Sequence, residues 1–223
     1  MRVILFANGE LQFPRRALEV IQEGDALIAA DGGARHCLSL GLLPKLVIGD
    51  FDSLSERELD ELKNAGVELR RHPAHKDETD LELALIEAQK YHPEEIIIFG
   101  ALGARWDMTL ANMLLLAHPD FCSSNIRIVD GPQELSSLRG GQTRQISGQP
   151  GDTVSLIPMM GDARGVNTHG LAYPLVDGTL RFGTSRGVSN EMLAPRAIVR
   201  LEEGNLFIVH IRQNDRGRVI EDQ

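Results

Sequence analysis

The chain has 223 residues, 42% of them apolar and 25% charged, with a formal charge of −9. That is the composition of a globular chain, long enough for one large domain or two small ones. The acidic balance and a 4% aromatic content disfavour nonspecific binding to nucleic acid or anionic membrane, and an anionic substrate such as a nucleotide would need a local countercharge.

The first part alternates strand and helix signals. Residues 3–6 read as a strand, and Pro14 can open a helix running to residue 21. A second strand is expected at 26–30, ending at Asp31-Gly32-Gly33, then a short helix at 34–40 closed by Gly41. Residues 46–48 form a third strand, followed by a helix at 55–64 that Ser55 and Glu58 can open as a capping box. Further strands are expected at 67–70, 96–99 and 126–129, and helices at 81–90 and 110–117. Repeated strand–helix units imply a mainly parallel sheet with helices on both faces. Near Gly140-Gly141 the helical periodicity stops and glycine becomes frequent. Short apolar runs at 153–157, 179–182, 197–201 and 206–211 indicate a smaller antiparallel β-sandwich or barrel. The expected domains are 1–138, α/β, and 139–223, β, with a partly disordered charged tail after Gln213.

The run after Met1 is too short for a signal peptide, and no later run is long enough to span a bilayer. Cys37 and Cys122 give neither a disulfide framework nor zinc spacing. A cytoplasmic protein with free thiols is expected.

Gly49-Asp50-Phe51-Asp52-Ser53 follows the third strand. In an extended backbone, residues two apart point to the same side, so the two carboxylates are expected to project together from the strand end. Side by side they repel, and a Mg²⁺ ion would offset that cost. Other polar motifs fall at the same edge: Asp31-Gly32-Gly33-Ala34, Lys76-Asp77-Glu78-Thr79-Asp80, and Gly100 to Asp107 with Arg105 as a planar fork for phosphate. Open α/β sheets bind ligands along this edge. Each motif also has a plain structural reading: turn glycines, Thr79 and Asp107 as helix caps, Asp77 and Asp80 as complements to a helix dipole, and Arg105 as a surface residue.

With Gly170-Leu171-Ala172-Tyr173-Pro174-Leu175 and Gly187-Val188-Ser189-Asn190-Glu191 added, the set resembles the thiamine pyrophosphokinase, or thiamine diphosphokinase, family over nearly the full length. The resemblance implies a homodimer that holds thiamine near the subunit interface and transfers pyrophosphate from ATP to the thiamine hydroxyl, releasing AMP. It implies that Asp50, Asp52, Asp77 and Asp80 organise Mg²⁺ and, with Arg105, carry the catalysis. Asp31, Gly32, Gly33, Lys76, Thr79, Arg105 and Asp107 would contact ATP, and Ser189, Asn190 and Asp107 would contact thiamine. No nucleic-acid or membrane partner is implied. Ala104, Met108 and Gln133 depart from the pattern common in bacterial members. Rival readings are pyrophosphoryl transfer to a pterin or other alcohol, a phosphatase of the haloacid dehalogenase type using one aspartate as nucleophile, and a non-catalytic nucleotide or thiamine sensor.

Overall fold

Six strands build the first sheet: β1 (Arg2–Phe6), β2 (Ala26–Ala30), β3 (Leu46–Gly49), β4 (Glu68–Arg71), β5 (Glu95–Phe99) and β6 (Asn125–Asp130). They are described by a computed structural model covering residues 1–213, so the expected tail disorder lies outside the described residues. The chain divides into two units, Met1–Asp130 and a second from Gly131 onward.

In the first unit all paired strands are parallel, in the order β4-β3-β2-β1-β5-β6. The order reverses between β1 and β5, which makes the crevice beyond their C-terminal ends a topological switch point. Ile4, Leu5, Phe6, Ile96, Ile97, Ile98 and Phe99 are all buried, as expected for central strands covered on both faces. Charged β4 occupies the sheet edge, where its residues can reach water. The helices are α1 (Pro14–Val20), α2 (Gly33–Ser39), α3 (Glu56–Asn64), α4 (Asp80–Gln89) and α5 (Trp106–Leu115). Ser55 and Glu58 form the full capping box at the start of α3. Helix α5 starts earlier than the apolar pattern suggests, because Trp106-Asp107 is its first turn. Burial pushes the Cys37 thiol up to about 12, leaving it an inert packing group. Among the described residues, no helix is long and apolar enough to cross a membrane.

Gly33 opens α2 directly against the β1 backbone. A Cβ there would lie 2.0 Å from the Phe6 carbonyl oxygen and 2.6 Å from its carbon. Backbone in a central strand cannot turn aside as a side chain can. Gly33→Ala is therefore expected to destabilise the first unit by about 1–3 kcal/mol, measured by chemical denaturation, and an unchanged midpoint would contradict this close approach.

The second unit is antiparallel. Its strands are β7 (Gln133–Arg139), β8 (Thr143–Ser147), β9 (Thr153–His169), β10 (Gly178–Leu180), β11 (Asn190–Glu191), β12 (Arg196–Arg200) and β13 (Glu203–Ile211). The order is β7-β13-β9-β12-β8, with β10 and β11 also paired to β9. Strand β9 is far longer than its expected apolar run. Met160 and Gly161, at φ 57° and 139°, interrupt it where the pairing with β13 shifts register. Before this bulge β9 follows β13, and at Asn167, Thr168 and His169 it follows β12. The bend folds the strands around one core containing Leu138, Val154, Leu156, Val166, Val199 and Leu206. The division between units falls after Asp130, and β7 pairs with β13 along its whole length. Its run Gln-Glu-Leu-Ser-Ser-Leu-Arg lacks clear alternation, so the sequence does not announce a strand there.

Candidate active site

The C-terminal edge of the first sheet gathers three carboxylates. Asp31 follows β2 directly; its N–H donates to the Ile48 carbonyl at 2.8 Å, and its backbone is left-handed, with φ 45°. Asp50 and Asp52 follow β3. One oxygen from each of Asp31, Asp50 and Asp52 lies within 4.8 Å of the others. The convergence of Asp50 and Asp52 does not come from strand alternation. Strand β3 ends at Gly49, and Phe51 has φ 66°, so the two carboxylates meet through a turn in which Asp50 Oδ1 accepts the Asp52 N–H at 3.1 Å.

Asn8, just beyond β1, joins this turn to Asp31. Its amide donates to Ser53 Oγ at 3.0 Å and lies 3.5 Å from Asp31 Oδ2, while the Ser53 hydroxyl donates to Asp52 Oδ1 at 2.9 Å. Asp31 is 2% exposed, and its Oδ1 is buried with no hydrogen-bond partner. A partnerless carboxylate oxygen in a group of like charges is costly, and a hard cation would satisfy it. The all-oxygen donor set fits Mg²⁺.

Asp80 opens α4 and pairs with Lys76 at 2.7 Å. Its carboxyl is raised above the ordinary value by burial first, with the charges of Asp31 and Asp50 adding to the rise and Lys76 opposing it. A Cβ on Gly49 would lie 2.9 Å from Asp31 Cβ and 3.2 Å from Asp80 Cγ, so glycine leaves room for both acids. Asp77 is exposed and lies outside the three-carboxylate group. Thr79 caps α4, accepting the Glu82 N–H at 3.2 Å. Gly32 makes room for Asn8: a Cβ there would lie 2.1 Å from the amide oxygen.

A cavity of about 390 Å³ adjoins these groups at the switch point. Its lining includes Asn8, Gly9, Asp80, Arg105 and Asn112, and also Ala104 and Met108, two of the departures from the bacterial pattern. Its size suits part of a nucleotide. Asn112 fixes the wall by donating to the Ala101 carbonyl at 2.7 Å. Arg105 and Asp107 are exposed and paired at 2.5 Å, which raises the guanidinium and lowers the carboxyl, so a phosphate would share Arg105 with Asp107. Gln133 begins β7, in register with Ile211.

In the second unit, Ser189 has φ 60° and its N–H donates to Ser155 Oγ at 3.0 Å. Asn190 is buried, and its amide is committed to backbone. Its oxygen accepts the Tyr173 and Glu191 N–H groups at 2.9 Å each, and its nitrogen donates to the Tyr173 carbonyl at 2.8 Å. Tyr173 itself is exposed.

Residues 17–129 match the model of the thiamin pyrophosphokinase catalytic domain, and residues 143–206 that of the thiamin pyrophosphokinase vitamin B1 binding domain. A thiamine pyrophosphokinase of Bacillus subtilis is 31% identical over 182 residues, 82% of this chain and 85% of that protein. The chain belongs to the thiamine pyrophosphokinase family. The crystal structure of a Bacillus subtilis thiamine pyrophosphokinase superposes with a TM-score of 0.86 at 27% identity, covering 96% of this chain and all of that one. A Geobacillus thermodenitrificans thiamin pyrophosphokinase gives 0.83 at 26%, covering 96% and 98%. The Candida albicans enzyme, at 17% identity, still gives 0.79 over 94% and 88%, a likeness of fold alone. In this thiamine pyrophosphokinase, no sequence motif marks Asn8 or Asn112, and the family resemblance points Asp31 toward ATP rather than toward the carboxylate group it joins. Their position beyond β1, on α5 and beyond β2 is the available signal, and it needs the strand order to be read.

Proposed function

We propose that this chain is an ATP-dependent diphosphotransferase that converts thiamine and ATP to thiamine diphosphate and AMP. The observation that carries this reading is the three-carboxylate group beside the switch-point cavity, in a chain matching thiamine pyrophosphokinase models in both units. ATP occupies the cavity. Lys76 and Arg105 supply the countercharge that a chain of net charge −9 must provide locally. Asp31, Asp50 and Asp52 would hold Mg²⁺, with Asp77 and Asp80 contributing directly or through water. Bound there, the ion would neutralise charge developing on the phosphate oxygens. The thiamine hydroxyl attacks the β-phosphorus and AMP leaves. An aspartate at this edge receives the hydroxyl proton.

Thiamine is assigned to the second unit. Ser189 and the loop carrying Tyr173 form its contacts, and the exposed Tyr173 ring offers a face to the cationic thiazolium. Asn190 acts by holding that loop. Asn190→Ala is expected to raise the KM for thiamine roughly tenfold, about 1.4 kcal/mol, with little change in the KM for ATP. A defect confined to ATP would contradict the assignment.

The homodimer belongs to the same proposal. Tyr173, Val176, Phe182 and Leu193 are exposed apolar side chains of the second unit, suited to cover by another subunit. A fully active monomer in sedimentation at assay concentration would overturn it. We place the protein in the cytoplasm, with Cys37 and Cys122 free thiols.

Incubation with ATP, Mg²⁺ and thiamine tests the reaction. Equal amounts of AMP and thiamine diphosphate are expected. Binding without AMP formation would favour a sensor, and turnover with a pterin but not thiamine would favour the other alcohol.

A further inference from the structure

Arg71 ends β4 and lies opposite Gly49 in the β3–β4 register, while the next residue, His72, donates its N–H to the Gly49 carbonyl at 2.8 Å. The last residue of the edge strand therefore stands beside the first residue of the carboxylate turn. Its guanidinium makes two contacts with that turn. One nitrogen donates to the Asp50 carbonyl oxygen, and the guanidinium carbon lies 4.7 Å from the centre of the Phe51 ring.

Phe51 is the residue that shapes the turn. It is 6% exposed, packed in the core of the first unit, and held at φ 66°. A bulky side chain in the left-handed region is unfavourable and persists only where surrounding contacts impose it. Here the core meets the ring from below and Arg71 covers it from outside. That same left-handed residue brings Asp50 and Asp52 to one side, within reach of Asp31.

We propose that Arg71 is a positioning residue for the metal-binding turn, holding the Asp50 carbonyl and the Phe51 ring so that Asp50 and Asp52 are presented together. The proposal rests on the assignment of Mg²⁺ to Asp31, Asp50 and Asp52. A planar guanidinium can hydrogen-bond a carbonyl and stack on a ring at once, whereas a lysine ammonium cannot reproduce both contacts.

Charge alone predicts the opposite sign. Arg71 is a cation near a cation site, so as a bare charge it would weaken metal binding. Removing it would then tighten binding, and lysine would leave binding unchanged. As a clamp, its loss weakens binding, and lysine does not rescue.

The test uses Mn²⁺ as the probe, titrated into nucleotide-free protein and followed by electron paramagnetic resonance. Arg71→Met and Arg71→Lys are each expected to weaken Mn²⁺ binding by about 10–100-fold, the range seen when groups that orient metal ligands are removed. Turnover at saturating metal should fall less than affinity does. Thermal melts accompany each variant, and Arg71→Lys carries the test if Arg71→Met does not fold. Unchanged or tighter Mn²⁺ binding in folded Arg71→Lys overturns the clamp. So does a raised KM for ATP at unchanged Mn²⁺ affinity, which would make Arg71 a phosphate contact. Asp52→Asn separates the two levels. If Asp52→Asn binds Mn²⁺ as the unaltered chain does, the metal assignment fails. If it does not, while the Arg71 variants bind normally, only the clamp fails.

Discussion

Asp52→Asn is expected to lower turnover with ATP and thiamine by about 10²–10³-fold, a loss typical of removing one electrostatic contributor to a transition state. Asparagine keeps the size of the side chain and an oxygen that can still accept the Ser53 hydroxyl, now at 2.9 Å. The turn and its link through Ser53 to Asn8 are therefore retained. What is lost is one of three like charges lying within 4.8 Å of one another. In metal-free buffer that loss relieves repulsion, so the melting temperature should stay the same or rise. A large fall in turnover with no fall in stability separates a functional carboxylate from a structural one. Near-normal turnover in the folded variant would remove Asp52 from the metal group.

The largest stability effect is expected in the second unit, at Asp152. This residue is 3% exposed and His210 is 5% exposed. Asp152 Oδ2 accepts the Gln149 N–H at 2.9 Å and meets His210 Nε2 at 3.0 Å, while Oδ1 accepts the Gln213 N–H at 2.9 Å. One carboxylate thus ties the turn before β9 to the end of β13. Burial raises its affinity for a proton, but the N–H bonds from Gln213 and Gln149 and the His210 ring prevail and hold the carboxyl below its ordinary value. Asp152→Ala strips the buried His210 ring and two part-buried N–H groups of their acceptor and should cost about 2–4 kcal/mol at neutral pH. The sign of the pH dependence follows from the lowered value. Stability from a depressed carboxylate is fully present above its unfolded value, about 3.9, and is lost as pH falls through the folded one. The gap between Asp152→Ala and the unaltered chain should therefore narrow in acid, as read by denaturant midpoints across pH. A gap that stayed constant would show that shape rather than charge sets the effect.

How far the sequence reveals these features depends on how local their causes are. The parallel sheet is legible because runs such as Ile96 to Phe99 are continuously apolar and each is followed by a helix start. The Ser55 capping box is legible for the same reason, since both partners lie within one turn. The carboxylate pair is legible as composition, but its geometry depends on the left-handed Phe51, which no residue type in the motif demands. Asp31 joins the group only because β2 and β3 are neighbours. Arg71 reads as one charge in a basic stretch until β4 is placed beside β3. In the second unit, glycines mark bends rather than ends. Gly161 and Gly165 lie inside β9, whose length is hidden for that reason. Asn190 reads as a polar contact for a ligand, and its amide also holds the Tyr173 backbone, a partner distant in sequence.

In the proposed reaction the two terminal phosphates of ATP move to thiamine as one group. ATP carrying radioactive phosphorus separately at the α, β or γ position tests it most directly. With Mg²⁺ and thiamine present, label from both the β and γ positions should appear in the thiamine product in equal yield, and label from the α position should remain in AMP. Transfer of the γ label alone, with the β label left in ADP, would contradict the account.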